Sequence, residues 1–394
     1  MGKRVDPLFA SVPVFAAWLT FLMNSSCCSQ TVLDQVSDPL DGKFDMGQGT
    51  STGQRFLPVP IVVTEPAVGF GLGGGLLFFH RDSDPEECVN EGNQEDGGMR
   101  PPSMSGVFGL RTDNDTWAAV GFHFGSWYED TVRYTGAAGM ASVNLRSYGG
   151  GDSPSTSDGL DYNLKGWLLF QQLMFRMPET NAFVGGRLTY FDSRNTFRSA
   201  SLLPGIEQWE IDSDNLGLGP VVQYDSLDNI FTPNRGTAVD YSTVFFAGSG
   251  ENSRDHEYQI TGVKYRRYWS LTEDFVLGWR LRGEFSSGNT PFYALPFVDL
   301  RGIPAMRYQD THAISTELEA RLDLTERWSV VGFGGAGCTV KSLGDFGSAK
   351  ALWTGGAGVR YLTIPKLGLY TGLDVAVGPE DVVFYLQVGN AWGL

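Results

Sequence analysis

Long apolar runs are missing from this chain. After the first thirty positions no stretch of eighteen or more charge-free apolar residues occurs, which excludes an ordinary bundle of membrane helices. Positive charge is also scarce. The 29 lysines and arginines are outnumbered by 45 aspartates and glutamates, a balance that excludes a nucleic-acid partner. Histidine is down to His80, His123, His256 and His312, scattered along the chain with no cysteine pair beside them, so no metal site is expected. Of four cysteines, only Cys88 and Cys338 lie beyond the N-terminal segment, and they either pair or stay reduced. There is no Gly-x-Ser-x-Gly elbow, and the glycines of Gly69–Gly75 lead into Leu76-Leu77-Phe78-Phe79 rather than into Gly-Lys-Ser/Thr. Neither an enzyme nor a bound cofactor is expected. Asp82-Ser83-Asp84 and Asp212-Ser213-Asp214 lack the spacing and terminal glutamate of a calcium loop.

What the chain does have is glycine, 51 residues of it, with 13% aromatic and only 19% charged residues, a composition suited to many short strands. Lys3 and Arg4 precede an apolar stretch from Leu8 to Met23 and the small-residue run Asn24 to Ser29, the three regions of a secretory signal. Residues 1–29 are therefore read as a signal peptide cleaved near 26 to 30; Asn24-Ser25-Ser26 lacks the aliphatic residue that lipidation of Cys27 would want. Removing Lys3, Arg4 and Asp6 with it leaves 27 basic and 44 acidic residues, a net charge of −17. Residues 30–56 are polar, without sustained periodicity, and read as a flexible periplasmic linker.

From 57 to 394 the pattern changes. Segments of nine to fifteen residues alternate apolar with polar or small, separated by turn signals. Phe275, Leu277, Trp279, Leu281 and Phe285 share one face of a strand, and Arg280, Arg282 and Glu284 the other. The next strand repeats this, with Ile314, Leu318, Ala320, Leu322 and Leu324 opposite Glu317, Glu319, Arg321 and Asp323. Val239, Tyr241, Thr243 and Phe245 stand against Asp240 and Ser242 in a third. One face for lipid and one for water is the signature of an all-β transmembrane antiparallel β-barrel. Fifteen segments emerge. Since bacterial barrels take an even number within 14–16 here, either 57–80 hides two strands or one segment is spurious, and sixteen is the preferred count. Short connections at Thr325–Arg327, Ile364–Lys366 and Met177–Glu179 belong on the inner side, and the longer ones at 194–213, 287–311 and 338–350 on the outer.

Several motifs then resemble one family. Phe384-Tyr-Leu-Gln-Val-Gly-Asn-Ala-Trp392 alternates Phe384, Leu386 and Val388 before Gly389 and an interfacial Trp392. It resembles the last strand of BamA/TamA-type outer-membrane proteins, which serves there as the assembly signal. Tyr224 to Gly236, with Pro233 and Arg235-Gly236, is similar to that family's strand–turn–strand motif, and Arg301-Gly302-Ile303 to the Arg-Gly-aromatic tip of its inward-folded loop. Glu319-Ala320-Arg321 resembles the acidic-x-Arg of the following strand. The resemblance implies that Arg301 enters the lumen and pairs with a carboxylate, Glu319 first and Glu317 second. One departure is Phe333-Gly334-Gly335-Ala336-Gly337, which has Gly335 where the family carries aspartate. Another is that the 27 residues Gln30 to Phe56 leave no room for POTRA domains.

The implied setting is the bacterial outer membrane. Its lipid and lipopolysaccharide surround the wall, the barrel assembly machinery acts as the partner in biogenesis, and an unknown periplasmic partner could dock on 30–56. Two functions follow from it, assistance in assembly or export of outer-membrane components and, alternatively, a passive pore or surface antigen that retains the fold.

Overall fold

The computed structural model describes residues 56–80, 103–147, 160–198, 208–250 and 253–392. The signal peptide, the linker up to residue 55 and Cys88, and with it any Cys88–Cys338 bond, lie outside the described residues. Among those described, sixteen strands form one antiparallel sheet in which each strand pairs with the next in sequence. They are β1 (Phe56–Val63), β2 (Gly71–Phe79), β3 (Met104–Thr112), β4 (Trp117–Trp127), β5 (Val132–Ser147), β6 (Leu160–Arg176), β7 (Ala182–Arg198) and β8 (Gln208–Asp225). The second half comprises β9 (Gly236–Gly250), β10 (Ser253–Ser270), β11 (Phe275–Gly288), β12 (His312–Asp323), β13 (Trp328–Val340), β14 (Leu352–Ile364), β15 (Leu369–Val377) and β16 (Val382–Val388). The 57–80 stretch does contain two strands, so the even count stands. Phe56 belongs to β1 rather than to the linker.

The alternation that marked the strands sorts their faces. Leu318 and Leu322 of β12 are exposed while Glu317 and Arg321, one position before each, are buried; Phe245, Trp353 and Phe384 face outward like the leucines. A wall with so much exposed apolar surface, and with its charges turned inward, is built to stand in a bilayer. Its height is uneven. β6, β8 and β10 run to 17 or 18 residues, while β1, β2, β15 and β16 have 7 to 9. A bilayer crossing takes about 9–11 tilted residues, so the wall is lowest where β1 and β16 come together.

The inner end is filled by the β8–β9 turn. Asp228 Oδ1 accepts the N–H groups of Asn234 and Arg235 (3.0 and 3.2 Å), and Asn229 Oδ1 those of Phe231 and Thr232 (2.7 and 3.1 Å). Asn229 also donates to the Leu367 carbonyl at 2.9 Å, tying this turn to the β14–β15 turn. Leu227 from the same turn packs with Ala238, Tyr268, Val276 and Trp392.

Candidate functional site

The connection from β11 to β12, residues 289–311, folds back against inward-facing side chains of the wall. Phe292 packs against Tyr162 and Phe197, and the Tyr293 hydroxyl bonds Ser213 (2.7 Å) and Asn215 (3.0 Å). Its two arms pair through the Phe297–Gln309 bridge and a Val298 N–H to Tyr308 carbonyl bond of 3.1 Å. Val298, Leu300, Ile303 and Tyr308 then bury with Leu352 of β14. Ile303 therefore fills an apolar contact.

Two charges flank Leu300. Asp299 holds β11: Arg280 donates to its carboxylate (3.2 Å) and its backbone carbonyl (2.6 Å), and Arg282 bonds the same carboxylate. Burial opposes ionisation of Asp299, but Arg280 and Arg282 outweigh it, and its pKa is lowered. Arg301 reaches the other way. Its Nε and Nη2 donate to Glu317 Oε1 at 3.1 and 2.6 Å, and its Nη1 to Asp374 Oδ2 at 2.8 Å. Glu319 Oε2 lies 2.7 Å from Nη1 but off the N–H directions, so it contributes charge rather than a hydrogen bond. The guanidinium stacks on Phe333 with 3.6 Å from Cζ to the ring centre. Arg360 completes the set by pairing with Asp374.

The order of partners expected from sequence is thus reversed: Glu317 makes the two-pronged contact and Glu319 the looser one. Arg321 is not in the cluster. It sits toward the inner end of β12, bonded to Asp323 (3.1 Å) and Asn234, because two residues along a strand carry it about 7 Å from Glu319. Trp392 is also displaced from its expected place. Gly389 takes φ +72° and turns the chain inward after β16, and the Trp392 indole N–H donates to Glu317 Oε1 at 2.5 Å. Its side chain is buried in the lumen against Tyr268 rather than at the membrane interface. Phe384 and Val388 do face outward, and Leu386 shares their side of β16.

Asp374 was not foreseen, yet it carries a signal: it is the one charged residue in the strand LYTGLDVAV, and such a residue in a membrane strand calls for a partner. Gly335 leaves room for the loop tip. A Cβ there would lie 2.8 Å from Leu300 Cδ2, and one at Gly337 2.7 Å from Val298 Cγ1, so β13 yields its side-chain space to the loop tip. The carboxylate comes from β15 instead. Gly302, at φ +94°, presses against Gly378 and donates its N–H to the Tyr385 hydroxyl at 2.9 Å.

The histidines are less scattered than expected. Ser105 links His80 and His123, at 2.8 Å to each, on the outer face of β2–β4. Among the described residues no three possible ligands gather around a metal position.

No protein-family profile matches the sequence, and no curated protein matches it. Solved structures do. BamA from Haemophilus ducreyi, solved without its POTRA domains 1–3, superposes with a TM-score of 0.53 at 14% identity, over 85% of this chain and 69% of that one. The chain has the BamA barrel fold. CdiB from Acinetobacter baumannii superposes at 0.51 and 12% identity, over 85% of this chain and 60% of the CdiB chain. The BamA-type fold accounts for the sixteen strands.

Proposed function

We propose that the protein is an integral outer-membrane barrel of the BamA/TamA type that assists assembly or export of outer-membrane components at the seam between β1 and β16. The observation that carries this reading is the β11–β12 loop held inside the barrel, with Arg301 bonded to Glu317 and Asp374. A passive pore needs an open lumen with walls of one sign. Here the walls carry paired charges of both signs, and an aromatic-lined loop stands in the way. Phe384, Leu386 and Val388 would be the assembly signal read by the barrel assembly machinery, lipid and lipopolysaccharide would surround the apolar exterior, and a periplasmic partner on 30–56 remains a part of the reading.

The test is the folding of a urea-unfolded eight-stranded barrel into phosphatidylcholine vesicles, with and without the refolded protein. Faster client folding, together with small flickering currents in a planar bilayer, supports the proposal. Large steady channels and unchanged client folding would leave the passive pore.

A further inference from the structure

The wall is tall over β6, β7 and β8, which have 17, 17 and 18 residues, and its lipid side changes character at a definite height there. Phe175, near the inner turn, and Trp167, nearer the outer rim, share one side of β6 and are 50% and 46% exposed. The eight positions between them span about 26 Å of strand, or about 20 Å of height at a tilt of about 40°. That is most of the apolar band, about 25 Å tall in such barrels. Within it this side of the three strands carries no charge, and Leu169, Leu188, Leu216 and Leu218 represent it. Trp167 and Tyr190 close the band with ring centres 4.8 Å apart, as aromatic residues do at a membrane interface.

Beyond the two rings, toward the outer rim, the same side turns to charge, and strand register sorts that charge by sign. Lys165 of β6 stands opposite Arg194 of β7, and Asp192 of β7 opposite Asp214 of β8. Like charges facing each other across a sheet oppose folding. Among the described residues, Arg194 alone of the four meets an opposite charge, Asp212 at 2.8 and 3.1 Å. Asp214 accepts a hydrogen bond from Ser249 at 2.6 Å, while Lys165 and Asp192 make neither a hydrogen bond nor an ion pair among the described residues. All of these groups border one open groove of about 880 Å³, which Trp117, Met140, Trp167 and Tyr190 complete.

We propose that this groove is a binding site for the phosphorylated sugar headgroup of one lipopolysaccharide molecule. Lys165, beside Arg194, takes a phosphate. Asp192 and Asp214 hold a divalent cation; two carboxylates do not fill its coordination shell, and the remaining oxygens come from a second phosphate of the same headgroup and from water. Trp167 and Tyr190 lie at the boundary between sugar and hydrocarbon, and the acyl chains run down the uncharged face past Leu216 and Leu218. Charge decides the occupant. A headgroup with two phosphates and a bridging cation answers both like-charged pairs, whereas a zwitterionic phospholipid brings one phosphate already balanced by its own amine. The site needs the membrane setting and not the seam between β1 and β16, so lipid retention and client folding are read separately.

The probe is bisphosphorylated lipid A, titrated with magnesium into the full chain refolded in detergent micelles and counted on the protein by native mass spectrometry. Phosphatidylcholine and inorganic phosphate serve as the comparison ligands, and a gel-mobility shift on heating checks that each variant is folded. The parent is expected to hold one lipid A, and Lys165→Gln to bind it about fivefold more weakly. Asp192→Asn combined with Asp214→Asn should abolish the gain in affinity that magnesium gives the parent. Equal binding by the parent and Lys165→Gln overturns the phosphate contact, and a magnesium effect that survives loss of both aspartates overturns the cation site. Displacement of lipid A by inorganic phosphate would make the groove a free-anion site, and phosphatidylcholine held as tightly as lipid A would reduce it to ordinary lipid contact; either result overturns the proposal.

Discussion

Arg301 and Asp374 lie 73 positions apart in the chain and 2.8 Å apart in the barrel. The contact joins the tip of the inward loop to β15, one strand from the seam, and it is backed by Arg360, which holds the same carboxylate at 2.9 Å. Because Arg301 also bonds Glu317 on β12, it bridges two parts of the wall that no backbone ladder connects directly.

Replacing Arg301 with alanine leaves Glu317 and Asp374 buried without this cation, a loss of about 3–5 kcal/mol where a buried pair is broken from one side. The loop should loosen as well as the barrel. Urea unfolding in detergent is expected to shift to lower concentration, and planar-bilayer recordings to show larger and longer openings than the parent. A variant with parental currents would separate the latch from the plug.

Gly335→Asp tests why the carboxylate stands on β15. A Cβ at 335 would lie 2.8 Å from Leu300, so an aspartate there overpacks the loop tip at a cost of about 1–3 kcal/mol instead of strengthening the hold on Arg301. Paired with Asp374→Asn, the substitution is expected to remain destabilising. Recovery of the parental unfolding midpoint in that double variant would show that the tip can yield.

Trp392→Phe keeps most of the packing against Tyr268 and removes the indole N–H that meets Glu317 at 2.5 Å. The loss expected for a bond to a charged group is about 1.5–3 kcal/mol. Quenching of fluorescence by brominated lipid distinguishes a lumenal Trp392 from an interfacial one. The quenchable fraction should rise slightly in the variant, since the emitter removed is shielded from lipid.

Acid should loosen the hold of Arg307 and Tyr308 on the β15–β16 turn. Burial disfavours the Glu380 carboxylate, but the hydrogen bonds from Arg307 (2.8 Å) and Tyr308 (2.7 Å) more than offset this, and its pKa is lowered. A carboxylate with a depressed folded pKa lends stability that is present above its unfolded value, about 4.3 for glutamate, and is lost as pH falls through the folded value. Asp299 shifts in the same direction. Current fluctuations are expected to stay constant from neutral pH to about 5 and to increase below about 4, with Glu380→Gln already more active at neutral pH.

Much of the barrel was legible in the chain because strand alternation is a local property. The rows Phe275–Phe285 and Ile314–Leu324 name their own lipid faces, and turn residues mark their ends. The first hairpin was harder, since Pro58, Pro60 and the glycines of β2 break the apolar pattern by which strands are recognised. Within the site, Arg301 and Glu317 were found by their motif and parity. Glu319 was ranked above Glu317 because sequence offers no measure of where along β12 the loop tip stops.

By itself, the sequence determined the class of the wall and the side of each strand that carries charge, both consequences of a two-residue period between water and lipid. Only the tertiary structure decided the rest. It brought Asp374 to Arg301, cleared Gly335 for Leu300 and turned Trp392 into the lumen. Those relations depend on closure of the sheet and on the depth to which one loop descends, and both are fixed by packing between residues that the sequence keeps far apart.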